Sequence, residues 1–277
     1  MKASYYNPFA GNNTDLSATA VKDCHGNLAG SQYDLAKDGA FKGQSIVVFD
    51  LEKVHFCDFS LARKALEEKG FSVIFWQKYM PSLAEFEKTI STASQLWILS
   101  GGEQRLNGNY LKIITDFFNR GRGLFLWGDN EPFFKDANYV SKYLFNTTMS
   151  GNLKGCKKVT LQKNAAFTPA GTFKYWLLNF IGIEARKRSG IVRNHPITTG
   201  LEFLYEGHTV ATIERNRELT PIMYGSAGNL ITACYDKDGK RAIIDGGFTR
   251  VYPIYWDTAG TARFVKNAAA WLANLED

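Results

Sequence analysis

Residues 96–132, LWILSGGEQRLNGNYLKIITDFFNRGRGLFLWGDNEP, constrain the fold more than any other part of the chain. A short apolar run leads into Gly101-Gly102. Leu111, Ile114, Phe117 and Phe118 then recur at helical spacing. Gly121 and Gly123 precede a second apolar run, 124–127, which ends in the polar turn Gly128-Asp-Asn-Glu-Pro132. Strand, helix and strand at this pitch make one β-α-β unit. Runs apolar on both faces belong to parallel strands covered by helices on either side. In open sheets of that kind, ligands bind outside the carboxyl ends of the strands. The polar residues that follow each strand are therefore the first candidates for a site.

The same alternation extends both ways. SIVVFD (45–50) reads as a strand, then a helix through LARKALEEKG with Asp58 or Ser60 as cap and Gly70 as its stop. FSVIFW (71–76) is the next strand. Pro81 and Ser82 start a helix to about Thr92, with Leu83, Phe86 and Ile90 on one face. The segment 95–100 is a strand, 106–119 a helix and 133–145 a further helix. The second half changes style. Strand candidates lie at 158–161, 203–205, 209–213, 222–224 and 230–235. A hairpin with Asp238-Gly239 at its tip feeds AIIDGG (242–247), and a helix spans 258–275 with Ala262, Val265, Ala269 and Leu272 on one face. Residues 1–44 show no sustained period and read as an irregular arm. Its aromatics Tyr5, Tyr6, Phe9, Tyr33 and Phe41 predict that it packs on its own domain or on a neighbouring protomer. The expected organisation is this arm followed by one domain, 45–277.

With 45% hydrophobic and 14% aromatic residues, the chain can build a substantial core, which excludes wholesale disorder. The net charge of +6 comes from scattered groups: Lys154, Lys157 and Lys158; Arg186, Lys187 and Arg188; Arg215 and Arg217. None is interleaved with aromatics as a base-stacking surface would be, so nucleic acid is not an expected partner. Cys24, Cys57, Cys156 and Cys234 are far apart, which suits reduced thiols in a cytoplasmic protein. No run approaches the length of a membrane span, and the first 20 residues lack a signal-peptide core.

Leu99-Ser-Gly-Gly102, the strand and polar turn 123–132, the segment His195-Pro-Ile-Thr-Thr-Gly-Leu201, and Ile244-Asp-Gly-Gly247 before a terminal NAAAWL helix occur in that order. Together they resemble the class I glutamine amidotransferase-like fold. More narrowly, they resemble its ThuA-like relatives and the amidotransferase-like domains of intraflagellar transport proteins. The resemblance covers roughly residues 45–275. It implies a flavodoxin-like three-layer α/β sandwich with a mainly parallel sheet, carrying a β-rich insertion at about 150–240 and the N-terminal arm. It also implies that Gly101-Gly102 forms an oxyanion loop and that the turn at 128–132 is the nucleophile elbow. A glutaminase elbow carries Cys, whereas here Asp129 or Asn130 occupies that position. Glutaminase chemistry, which needs an activated thiol, is not expected.

The strand-end rim collects Asp50, Glu52, His55, Cys57 and Asp58 after the first strand. It adds Gly101, Gly102 and Glu103, then Asp129, Asn130 and Glu131, and Asp245 and Arg250 from the last strand. Oxygen ligands in that number suit a divalent cation such as Mg²⁺ or Ca²⁺, or a small polar ligand. The plain alternative is that these groups cap helices and pair with Lys or Arg. Cys24-His25 and His55-x-Cys57 have zinc-like chemistry without finger or ribbon spacing. Cys57 could act as a displaced thiol nucleophile with His195 or His208 as base, or be an idle thiol. His195 and His208 also read as ordinary turn histidines. Tyr252, Tyr255 and Trp256 suggest a surface for self-association or a partner. Two functions follow. One is a ligand-binding or protein-interaction and assembly module. The other is a hydrolase or isomerase acting on a sugar-like polar metabolite, with Asp129, Glu131 and Glu103 as acid/base groups and with or without a divalent cation.

Overall fold

The structure is a computed structural model, and it describes residues 20–52, 58–160, 189–191 and 195–273, together with the backbone of 4–7 and 12–15. At the amino terminus Ser4–Asn7 (β1) pairs antiparallel with Asn12–Asp15 (β2), a ladder that the polar composition of this stretch does not announce. The alternating region then delivers Ser45–Asp50 (β3), Ser60–Glu68 (α1), Ser72–Gln77 (β4), Leu83–Ser91 (α2), Gln95–Leu99 (β5), Gly108–Asn119 (α3), Gly123–Trp127 (β6) and Lys135–Phe145 (α4). The second half supplies Met149–Lys154 (β7), Lys158–Thr160 (β8), Gly190–Ile191 (β9), Phe203–Tyr205 (β10), Thr209–Ile213 (β11), Thr220–Tyr224 (β12), Leu230–Lys237 (β13) and Lys240–Asp245 (β14). It ends with the short helix Pro253–Trp256 (α5) and the longer Thr261–Leu272 (α6).

The central sheet runs β4-β3-β5-β6-β14-β13-β12-β9. The first five strands are parallel, and β13, β12 and β9 continue the sheet antiparallel. Successive residues of a strand point to opposite faces, and the two cores follow that rule. Ile46, Val48, Trp97, Leu99, Phe125 and Trp127 face the layer that holds α1 and α6. Val47, Phe49, Leu96, Ile98, Leu124 and Leu126 face α2, α3 and α4. This is the three-layer α/β arrangement expected from the sequence. Part of the β-rich section extends the main sheet. The rest forms two side ladders, β7 with β11 and β8 with β10.

Strand β7 escapes sequence inspection because MSGNLK carries only Met149 and Leu153 as apolar residues, at inward positions of an exposed ladder. The final helix starts later than its apolar period suggests. Gly260, in the left-handed region at φ 66°, breaks the chain before Thr261. Residues 20–44 pack on their own domain. Phe41 stacks on Phe71 at 4.5 Å. Asp34, 2% exposed, receives Lys69 (2.9 Å), Arg263 (2.7 Å) and Lys266 (3.3 Å). The expected surface aromatics need correcting. Trp256 is buried, and Tyr252 packs against the same core, because the turn of α5 rolls them inward and leaves Ile254 outside at 80% exposed.

Candidate functional site

The chain leaves β3 for β4 on one side and returns to β5 on the other, so the crevice of such a sheet should open between the ends of β3 and β5. That crevice is closed from within. A Cβ on Gly101 would lie 2.8 Å from the Leu51 carbonyl oxygen, so only glycine fits this approach. The Gly102 N–H, the donor that an oxyanion loop would offer, donates to Glu52 Oε2 at 3.1 Å. Asp50 accepts from the Glu52 N–H (3.0 Å) and from Gln77 Nε2 (2.9 Å). Burial pushes its carboxyl up to about 6 against those bonds. Asp136, at the start of α4, accepts from the Arg105 and Leu106 N–H groups, both at 2.8 Å, and burial likewise raises it to about 6. Its own N–H and that of Ala137 donate to Ser100 Oγ. The loop after β5 is thus stapled to α4. Glu103 is exposed at its edge.

The turn after β6 is a second cluster. Asp129 is 1% exposed. Its Oδ1 accepts from the Asn130 N–H (2.7 Å) and the Thr209 hydroxyl (2.7 Å), and its Oδ2 from the Thr249 N–H (3.0 Å). Burial raises it to about 6 although each of those bonds pulls it down. Glu131 is exposed and precedes a cis peptide to Pro132. Pro132 and Phe133 lie over Gly102, 3.3 and 3.6 Å from where its Cβ would stand, so this turn covers the loop after β5.

The candidate residues therefore fall into two neighbouring groups, Asp50-Gly101-Gly102-Glu103 and Asp129-Asn130-Glu131. Asp245 and Arg250 lie behind them, fully buried, paired at 3.0 Å. Thr232 and the Gly247 N–H complete the shell of Asp245. His55 and Cys57 lie outside the described residues, as do Arg186, Lys187 and Arg188. Among the described residues, no group of three or more His, Cys, Asp or Glu side chains is placed to hold a metal ion, and no helix is long and apolar enough to cross a membrane.

The structure also gathers residues that sequence reasoning left apart. Thr249 Oγ1 accepts the His208 N–H at 3.0 Å, which ties the turn after β14 to the loop before β11. The His208 ring stacks on Tyr255 at 5.2 Å and 11°, and its Nδ1 lies 3.1 Å from Cys156 Sγ. Glu206, two residues before His208, faces elsewhere. Its carboxylate receives the Ser226 N–H and hydroxyl, both at 2.7 Å, and the Lys157 N–H at 3.1 Å. The sequence signal for this cluster was the Glu-Gly-His segment and the lysine group around Cys156. Nothing local says that they meet. His195 opens the HPIT segment as a cap: its Nδ1 accepts the Ile197 N–H at 3.2 Å, and Asn267 of α6 holds the Ile197 and Thr199 carbonyls.

No protein-family model matches the sequence, and no curated protein matches it. Solved structures do match. The N-terminal domain of mmIFT52 is 12% identical, with 83% of this chain and 98% of that one covered and a TM-score of 0.57. A ThuA-like protein from Parabacteroides merdae is 13% identical, covering 84% and 90%, with a TM-score of 0.49. A GMP synthase component from Thermoplasma acidophilum is 8% identical, covering 82% and 95%, with a TM-score of 0.41. At these identities the likeness is one of fold. The fold shared with the mmIFT52 domain is the three-layer α/β sandwich described above.

Proposed function

We propose that this chain is a non-glutaminase amidotransferase-like domain that works as a protein-interaction or assembly module, holding a partner at its rim rather than turning over a substrate. The observation that supports this reading is the state of Asp129. A nucleophile or general base must present an open lone pair to the reacting group. The carboxylate at the elbow is instead enclosed and already accepts three hydrogen bonds from three segments of its own chain. The Gly102 N–H, committed to Glu52, points the same way. Glu131 and Glu103 lie at the surface of the rim.

The test is native mass spectrometry of the purified full chain, paired with turnover assays on glutamine and on sugar-like substrates with Mg²⁺ or Ca²⁺ supplied. A discrete oligomer or protein complex without turnover is expected. Turnover that disappears in Asp129→Ala would replace this reading with the hydrolase or isomerase alternative.

A further inference from the structure

Cys156 is held in an arrangement that the closed rim does not require. Its backbone lies in the left-handed region at φ 68°. A residue with a Cβ is uncommon there and stays only where its surroundings over-determine it. Two backbone bonds do so: the Cys156 N–H donates to the Gly207 carbonyl at 2.7 Å, and the Gly155 N–H to the His208 carbonyl at 3.0 Å. They clamp the turn at 155–156 against the turn at 207–208 and set Sγ 3.1 Å from His208 Nδ1. The Tyr205 phenol stands near the same sulfur. Burial, and then that sulfur, push the phenol well above its usual range, so it keeps its proton. His208 is fixed from both sides, by Tyr255 under its ring and Thr249 at its N–H.

Cys156 is exposed to solvent, and Lys154 and Lys157 are exposed on the same stretch of chain, whereas the Lys158 ammonium lies 3.1 Å from His25 Nδ1. Oxidation-sensitive thiols sit in such places: exposed, beside a proton acceptor, in cationic surroundings. Cys24 is exposed too. Among the described residues, no imidazole or phenol hydrogen-bonds its sulfur, and it makes a natural reference.

We propose that Cys156 is a modification site, a nucleophilic thiol that hydrogen peroxide oxidises to a sulfenic acid, with His208 moving the proton and the Tyr205 phenol standing near the sulfur. The Cys156 thiol gives its proton to His208 Nδ1. The sulfur lone pair attacks one peroxide oxygen, so an S–O bond forms and the O–O bond breaks. The departing oxygen takes the proton from Nδ1 and leaves as water. The sulfur loses two electrons and the peroxide gains them. This chemistry goes beyond the binding role proposed above and stands whether or not a partner occupies the rim.

The experiment treats the reduced full chain with equimolar hydrogen peroxide and the sulfenic-acid trap dimedone, then follows each cysteine by peptide mass spectrometry. With a proton acceptor 3.1 Å from its sulfur, Cys156 is expected to label roughly tenfold faster than Cys24. His208→Ala, a change at an exposed side chain, should bring Cys156 down to the rate of Cys24. Tyr205→Phe, which keeps the ring, should lower it part of the way. Equal rates at Cys156 and Cys24, or an unchanged rate in His208→Ala, would overturn the proposal. Rapid alkylation of Cys156 by iodoacetamide with no dimedone adduct would overturn the oxidation step as well.

Discussion

Among the described residues two cysteine–histidine pairs meet through their side chains, and their surroundings give them opposite characters. Cys234 Sγ lies 3.4 Å from His195 Nε2 beneath the edge of Trp271, and Cys156 Sγ lies 3.1 Å from His208 Nδ1 at the surface. Burial presses His195 down to about 4 and Cys234 up to about 12, so both stay neutral across the physiological range. The Ile197 N–H occupies His195 Nδ1, which leaves Nε2 as the protonated nitrogen facing the sulfur. The result is a packed, inert contact that positions the HPIT turn. At the surface the same two residue types face water and the Tyr255 ring. Residue identity and spacing are nearly shared, and the environment separates structure from chemistry.

Thiol labelling of the folded chain is the largest test of that difference. Cys234 can react only when the fold opens, so for a domain of ordinary stability it should label at least about 10³-fold more slowly than Cys156. Comparable rates would break the comparison at once. Stability changes come next. His195→Ala should cost about 2–3 kcal/mol in chemical denaturation, because it leaves the Ile197 N–H without its acceptor and opens a void. His208→Ala should stay within about 1 kcal/mol, since the ring is at the surface.

The pH profile sharpens the contrast further. His195 binds a proton below about 6.5 when unfolded but only near 4 when folded. Its contribution to stability is therefore full above 6.5 and lost as the pH falls towards 4. Asp50, Asp129 and Asp136 act oppositely. Raised from 3.8 to about 6, they hold protons in the fold that the unfolded chain has released, so their contribution falls as the pH rises through that window. Removing the imidazole with His195→Gln should make stability fall more steeply as the pH rises from 4 to 6, by on the order of 1–2 kcal/mol, in melts measured across the range. The smallest effect concerns backbone strain. Cys156→Gly relieves the left-handed φ while loosening the unfolded chain, so its melting curve should correspond to a change within about 1 kcal/mol. Cys234→Gly, in the middle of β13, should destabilise by more than that.

Much of the fold was legible because burial leaves a local imprint. Val47 and Val48, neighbours in one run, pack into different cores, and only a strand covered on both faces needs both to be apolar. Gly101 was legible as a turn, but its close approach to Leu51 was not, since that depends on how β3 and β5 end side by side. The rim carboxylates were found by position and misjudged in openness. Asp245 follows a strand as a ligand-binding residue would, yet Arg250, five residues on, folds back onto it inside the core. Strand β7, with two apolar residues in six, offered no period to read.

The sequence by itself determined the layered α/β architecture, the order of strands and helices from β3 to α4, and the absence of a thiol in the turn after β6. Each of these is written in short-range periodicity or in the identity of a single residue. Only the tertiary structure decided which thiol meets which imidazole. Cys156 and His208 are 52 residues apart and Cys234 and His195 are 39 apart, so their meeting depends on how β7 registers with β11 and how the HPIT turn docks on β13. It also decided that Asp129 and Gly102 are satisfied within the chain, because whether a hydrogen-bonding group is free is a property of what packs around it and not of the residue.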